Sequence, residues 1–368
     1  MMNASTEPEI IVDIRNHIAH LTLNRPKALN AITHDMIDAM SSWLDQWATD
    51  DNIKAIIVRG AGEKSFCAGG DVRALYESGK RGDGSELEFF LREYSLNYKI
   101  HRYLVNTGKP CIAWIDGIVM GGGMGIAQGA PIRIVGTRTK MAMPETVIGL
   151  FPDVGGSYFL SRCPGATGLY LGLLGSTIKA ADALYAGLAT HHIATESAFE
   201  FDYALDSMVN WQLGAVPALQ KIVQEFAGTP IESATLPPLQ AAIDQHFAGK
   251  DHVSAIIRSL ETETVHIDWA ASTIGLLGKR SPTMLEVTKR QIERAATMSL
   301  PDCFRMEMDL MARTFEHGDV VEGIRALLID KDHAPRWKPP SLAEVRTESI
   351  DPFFKSPWSA ENHPLKNL

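Results

Sequence analysis

The chain contains no unbroken apolar run of the ~18–20 residues that a membrane-spanning helix needs, so no membrane partner is expected. It has no excess of positive charge either. The 35 Lys and Arg against 44 Asp and Glu leave a formal net charge of -9, whereas a broad nucleic-acid surface requires clustered basic side chains. No nucleic-acid partner is expected. Cysteine is scarce: Cys67, Cys111, Cys163 and Cys303 are scattered without C-x-x-C spacing, which indicates neither a zinc site nor a disulfide framework. His191 and His192 are adjacent rather than at helical ligand spacing, and H-E-x-x-H is absent, so no metal is expected. The first residues, Met1 to Glu9, lack the basic flank and apolar stretch of a signal peptide, and a cytoplasmic location is the resulting expectation.

Several catalytic signatures are also missing. No G-x-G-x-x-G can be written through Gly121 to Gly125, because the third glycine falls on Ile126 or Gln128, which argues against a dinucleotide. Gly155-Gly-Ser-Tyr-Phe159 is not G-x-S-x-G, and no Walker A lysine follows a G-x-x-x-x-G. With serine, nicotinamide and metal chemistry poorly supported, backbone amides and carboxylates remain.

What is present is an ordinary globular composition, 368 residues with 45% hydrophobic and 21% charged. Ile10 to Ile14 and Ile18 to Leu23 alternate around Asn16-His17 and predict a β-hairpin. Helical periodicity covers His34 to Ala48, and Ile53 to Val58 reads as a strand buried on both faces. Gly79 to Gly84, rich in glycine and charge, reads as a loop before a helix over Glu86 to Leu104. Strands are expected at Cys111 to Ile115, Ile132 to Val135 and Lys140 to Met143. From about Ser157 strand signals nearly vanish, and helices are expected over 155–162, 180–186, 198–211, 239–247, 281–297 and 301–317. The prolines of Ala334-Pro-Arg-Trp-Lys-Pro-Pro340 end regular structure. The result is an α/β core over 1–210 and a mainly helical region over 211–368, which covers a site, makes subunit contacts, or both.

The most informative stretch is Met143-Pro-Glu-Thr-Val-Ile-Gly-Leu-Phe-Pro-Asp-Val-Gly-Gly156. It places Glu145 and Asp153 among apolar and turn residues, where carboxylates acquire shifted pKa values suited to acid/base work. Two capping carboxylates are the plainer alternative. Upstream, Ala68-Gly69-Gly70-Asp71 and Met120-Gly-Gly-Gly-Met-Gly125 each follow a strand-like run and precede a helical pattern, so both can offer free backbone N–H groups at a helix start. Two such groups converging on one point would form an oxyanion hole. If Glu145 and Asp153 share a site, their repulsion leaves one acid and one base near neutral pH.

Phe66-Cys-Ala-Gly-Gly-Asp-Val-Arg73, Gly117-Ile-Val-Met-Gly-Gly-Gly123 and the Glu145/Asp153 segment together resemble the crotonase, or enoyl-CoA hydratase/isomerase, superfamily. The likeness runs from Asn24-Arg-Pro-Lys-Ala-Leu-Asn30 to Glu322 through Pro339. Phe151-Pro-Asp-Val-Gly-Gly156 and that C-terminal block point to a thioester-hydrolysing branch. The resemblance implies a spiral of ββα turns followed by helices, with Gly70 and Gly122 as oxyanion donors, Glu145 as the catalytic glutamate and Asp153 as its companion acid. It also makes Glu93 a substrate-contacting residue, although alone Glu93 reads as an ordinary helix-surface charge. Asp71 reads as a helix cap.

One departure bears on the reaction. The family's hydratases carry a second glutamate two residues after the Gly-Gly-Gly, where this chain has Gly125. The resemblance therefore implies hydrolysis of a small 3-hydroxyacyl-CoA, foremost 3-hydroxyisobutyryl-CoA in valine breakdown, with coenzyme A as part of the substrate and no prosthetic group. A homo-oligomer is a further implied possibility. Hydration or isomerisation of a short-chain enoyl-CoA is the alternative, and a non-catalytic acyl-CoA-binding protein a third reading.

Overall fold

The computed structural model describes residues 7–82 and 84–368. Residues 1–6 of the stretch tested for a signal peptide, and Asp83 of the expected loop, lie outside the described residues.

β1 (Ile10–Arg15) and β2 (Ile18–Leu23) form the expected antiparallel hairpin. Asn16 and His17 both adopt left-handed backbone, with φ of 46° and 65°, the geometry of a two-residue turn whose twist matches its strands. After α1 (His34–Thr49), capped by Thr33 accepting from the Met36 N–H, the chain delivers strands alternately to two sheets. β3 (Ala55–Gly60) enters the large sheet, β4 (Ser65–Cys67) a small one, and α2 (Val72–Arg81) and α3 (Ser85–Thr107) follow. The next turn supplies β5 (Cys111–Ile115), β6 (Ile118–Met120) and α4 (Gly122–Gly129), and the third β7 (Ile132–Val135) and β8 (Lys140–Ala142). With β9 (His191–His192), the large sheet has the order β1-β2-β3-β5-β7-β9, parallel from β2 onward, and the small parallel sheet has the order β4-β6-β8. This is the ββα spiral.

Strand alternation explains the continuous apolar runs. Ala55 and Ile57 of β3, Ile112 and Trp114 of β5, and Ile132 and Ile134 of β7 face one hydrophobic cluster, while Ile56, Val58, Cys111, Ala113 and Val135 face another. The outer cluster is closed by α8 (Ala198–Ser207) and α9 (Ala215–Phe226), with Phe201 stacked on Trp114 at 5.4 Å. Both faces of the central strands β3, β5 and β7 are therefore dry.

The remaining helices are α5 (Gly156–Leu160), α6 (Thr167–Leu174), α7 (Ala180–Tyr185), α10 (Gln240–Phe247), α11 (Val253–Leu260), α12 (Ile267–Leu277), α13 (Pro282–Ala295), α14 (Leu300–His317), α15 (Asp319–Ile324) and α16 (Thr347–Ile350). Periodicity did not reveal α6, α9, α11 or α12. In α6 every residue is buried, so it lacks the polar face that marks an amphipathic helix. β4 and β6, three residues each, are too short for an alternating pattern.

The loop expected over Gly79 to Gly84 is corrected: α2 runs through Gly79 to Arg81, and Gly82, at φ 64°, closes it by donating to the Ser78 carbonyl. Gly79 marks a close helix approach, since a Cβ there would lie 3.0 Å from Val321 and 3.1 Å from Phe315.

A similar approach seats α15 on the Glu145–Ile148 turn. A Cβ on Gly323 would come within 2.3 Å of the Ile148 backbone. Gly323→Ala should therefore cost about 1–3 kcal/mol, read as a lower midpoint in denaturant unfolding, together with reduced activity; an unchanged midpoint would show that α15 is not held there.

Candidate functional site

β4, β6 and β8 lie in parallel register, with Cys67 opposite Val119 and Met120 opposite Ala142. Their C-terminal ends release three turns side by side, a usual place for ligands in parallel sheets. β4 leads to Gly69-Gly70, β6 to Gly121-Gly122 and β8 to Glu145. Gly69 and Gly121 have φ of 105° and 51°, and a Cβ on Gly69 would lie 3.6 Å from the Gly122 nitrogen, so the first two turns touch. Ile32 bonds to Gly69 O and accepts from the Asp71 N–H, bypassing the N–H of Gly70. Gly122 opens α4, where an N–H has no partner within the helix. Among the described residues neither N–H donates a hydrogen bond.

Glu93 and Glu145 flank the Gly121-Gly122 turn. A Cβ on Gly122 would lie 2.1 Å from Glu93 Oε1, and one on Gly121 3.2 Å from Glu145 Oε1. Glu93 is buried in α3, so the surface reading of this residue fails. Asp153, also buried, accepts from the Tyr94 hydroxyl at 2.8 Å. Glu93 Oε1 and Glu145 Oε2 are buried without a hydrogen-bond partner among the described residues.

Glu93, Glu145 and Asp153, with Gly70 and Gly122, line a cavity of about 370 Å³ together with Phe89, Leu75, Phe315, Val320, Ile324 and Leu328, and among the described residues no Lys, Arg or His lines it. Removal from water accordingly dominates its electrostatics. Burial, reinforced by the negative charge of Asp153, raises Glu93 and Glu145 well above the ordinary carboxylate range. Burial pushes Asp153 up to about 7 against the opposing Tyr94 hydrogen bond. Near neutral pH the cluster can hold protonated and ionised carboxyls together, the condition for acid and base to act in one place.

The segment carrying Asp153 is strained and clamped. Val154 has φ 54°, unfavourable for a β-branched residue. Glu307 of α14 accepts from the Gly155 N–H at 2.7 Å, the Ser157 N–H at 3.0 Å and the Ser157 hydroxyl, while Gln291 of α13 donates to Pro152 O. Burial pushes Glu307 up to about 8 against those hydrogen bonds.

All five residues singled out from the sequence meet here: Gly70, Glu93, Gly122, Glu145 and Asp153. Asp71 stands at the start of α2, but its side chain makes no cap hydrogen bond and instead pairs with Arg25 at 3.3 Å; this corrects its reading as a cap. Sequence reasoning missed Tyr94, Asn97 and Glu307. Asn97 falls four positions after Glu93, so once Glu93 points inward helical spacing brings it to the same side; Tyr94, the next residue, is turned away from that side and belongs to the site through its hydrogen bond to Asp153. Glu307 had no local signal, lying 152 positions from Gly155.

The family model described as enoyl-CoA hydratase/isomerase matches residues 18–354. A protein of Danio rerio named mitochondrial 3-hydroxyisobutyryl-CoA hydrolase is 40% identical over 97% of this chain and 92% of its own length. The Homo sapiens protein of the same name is 35% identical over 96% and 90%. Among solved structures, a protein described as a carnitinyl-CoA dehydratase from Mycobacterium thermoresistibile is 38% identical, with a TM-score of 0.86 over 95% of this chain and 97% of that one. An enoyl-CoA hydratase from Rhodobacter sphaeroides is 31% identical, with a TM-score of 0.83 over 95% and 98%. The expectation of a cytoplasmic location is overturned by these hydrolase relatives, which are mitochondrial by name.

The raised pKa values set a sign for stability. Burial pushes Asp153 and Glu307 up to about 7 and about 8 in the folded chain, above the ordinary carboxyl values of 3.8 and 4.5, so their contribution is complete below about pH 4 and is lost as pH rises through 7 and 8. Each group should make unfolding easier by about 1.4 kcal/mol per pH unit between those limits. Asp153→Asn keeps an acceptor for Tyr94 but removes one titration, so its melting temperature should decline less steeply from pH 5 to pH 7 than that of the parent; parallel declines would refute the assignment.

Proposed function

Because the chain belongs to the enoyl-CoA hydratase/isomerase family, we propose that it is an acyl-CoA thioester hydrolase converting 3-hydroxyisobutyryl-CoA to 3-hydroxyisobutyrate and free CoA. The similarity to curated hydrolases over nearly the whole chain supports the reaction class. The single observation in the site that carries the choice is the pairing of Asp153 with an empty second-glutamate position. Gly125 has no side chain, and a Cβ there would lie 2.5 Å from Asn97 Nδ2 and 2.7 Å from Val154. Asn97 takes up that space, and the second ionisable group of the cavity is supplied by Asp153 instead. Hydration by paired glutamates loses one partner in this arrangement, which disfavours the reading suggested by the dehydratase and hydratase descriptions of the structural neighbours.

In this reading the thioester carbonyl oxygen takes the N–H groups of Gly70 and Gly122, whose charge stabilisation is realised as the carbonyl becomes tetrahedral. Glu145 stands beside the Gly121 turn, and its ionised form is placed either to attack the carbonyl carbon, expelling CoA thiolate and leaving a mixed anhydride, or to take a proton from an attacking water. Both routes end with one water consumed, the C–S bond broken and a proton released. Asp153 and Glu93 serve as hydrogen-bond partners for the 3-hydroxyl and as proton carriers. A site built around a hydroxyl disfavours an acyl group without one, because its buried polar groups are left unpaired. Coenzyme A arrives with the substrate, and the reaction requires no prosthetic group.

Purified protein should release thiol from 3-hydroxyisobutyryl-CoA much faster than from acetyl-CoA and leave the enoyl absorbance of crotonyl-CoA nearly unchanged. Glu145→Gln should lower kcat by about three orders of magnitude or more while acyl-CoA binding persists in a direct titration. Rapid crotonyl-CoA hydration without thiol release would establish the hydratase reading in its place.

A further inference from the structure

Three residues one turn apart on α3, Glu93, Asn97 and His101, carry four buried polar atoms without a protein partner among the described residues: Glu93 Oε1, Asn97 Oδ1 and Nδ2, and His101 Nε2. Asn97 is fully buried. Buried polar atoms are rarely left unsatisfied, because each costs about 1–3 kcal/mol, and where no protein group serves, ordered water does. Residues four apart on a helix have Cβ atoms about 5–6 Å apart, a gap that one water with two hydrogen bonds spans. The row has different surroundings at its two ends. Glu93 lines the carboxylate cavity, whereas His101 lines an open groove of about 590 Å³ between α3, α5 and the start of α14, with Arg102, Tyr158, Arg162 and Ser299. Along the way α4 presents glycine to the row: Gly125 faces the Asn97 amide and Gly129 approaches Ile100 and the backbone of His101.

We propose that Glu93, Asn97 and His101 form a hydrated polar path through which water enters, and protons leave, the catalytic cavity while acyl-CoA fills its mouth. The proposal rests on the hydrolase reading for its purpose. Each turnover consumes one water and releases one proton, as thioester and water become carboxylate and thiol. The cover of the cavity, Phe315, Val320, Ile324, Leu327 and Leu328, is apolar and offers neither species a route. Burial and the nearby charge of Arg133 hold His101 down to about 4, so its ring is neutral and has one donor and one acceptor to pass a proton through. Asn97 and His101 act through water and are positioning residues.

The test compares two replacements of Asn97 in the full chain. Asn97→Leu keeps the volume but lines the path with methyl groups; Asn97→Ala loses more packing but leaves room for water. The path requires Asn97→Leu to lower kcat about tenfold or more with KM little changed, and Asn97→Ala to retain the greater kcat. His101→Phe, at the groove end, should repeat the kcat loss and serves if Asn97→Leu fails to fold. A packing role for Asn97 predicts the opposite order, with Ala worse than Leu, and that order, or a folded Asn97→Leu with the parental kcat, would overturn the path. A high-resolution crystal structure supplies an arm independent of activity: ordered waters should bridge Glu93 Oε1, the Asn97 amide and His101 Nε2, and direct protein partners for these atoms would refute it. If the parent protein released no thiol from 3-hydroxyisobutyryl-CoA while those waters were present, the hydrolase reading would fail and the path would stand.

Discussion

Three carboxylates held in a cavity without a cation are the constraint around which this molecule is arranged. Glu93, Glu145 and Asp153 come from a long helix, a turn after a three-residue strand and a strained loop, and among the described residues no Lys, Arg or His lines the space they share. Burial and mutual repulsion favour their protonated forms. The fold has to hold them there against the tendency of charged groups to seek water. It does so by supplying rigid elements on every side: α3 across the top, the ends of β4, β6 and β8 beneath, and α14 and α15 as a lid.

Glycine makes this proximity possible in a specific sense. At Gly121 and Gly122 the backbone runs between two glutamate side chains, and a methyl group at either position would meet a carboxylate oxygen. The same two residues turn the chain from β6 into α4 and leave an N–H free. Close approach and a free N–H thus come from one local geometry, so that the free donor and the carboxylate placement cannot be altered separately.

The C-terminal half is coupled to the site by polar clamps as well as by apolar cover. Glu307 ties the loop after Asp153 to α14 through three hydrogen bonds, and Asp319, which accepts from Ser281 and from the Lys338 N–H, anchors the start of α15 over the Glu145 turn. Val154 can remain in left-handed backbone because the segment around it is over-determined in this way. The order of the loop around Asp153 is therefore a property of the whole chain.

Much of the local structure was written in residue patterns. The hairpin at Asn16-His17, the doubly buried strand β3 and the amphipathic helices α1, α13 and α14 follow from alternation, turn residues and 3.6-residue periodicity. Gly70, Gly122, Glu145 and Asp153 stood out because glycine runs and carboxylates in apolar surroundings are chemically conspicuous, and Glu93 entered through family resemblance. Other features had no local signature. The helix α6 is buried on every side, β4 and β6 are three residues long, and Gly79 looked like a loop because a glycine that admits Phe315 and Val321 from far along the chain resembles one that permits a turn. Asp71 fits a cap by type and position, yet Arg25, 46 positions away, takes its carboxylate. The partners of Asp153 and Glu307 depended on which distant segments packed together, since pattern encodes which face of an element is buried, whereas side-chain partnership and pKa depend on what that face meets.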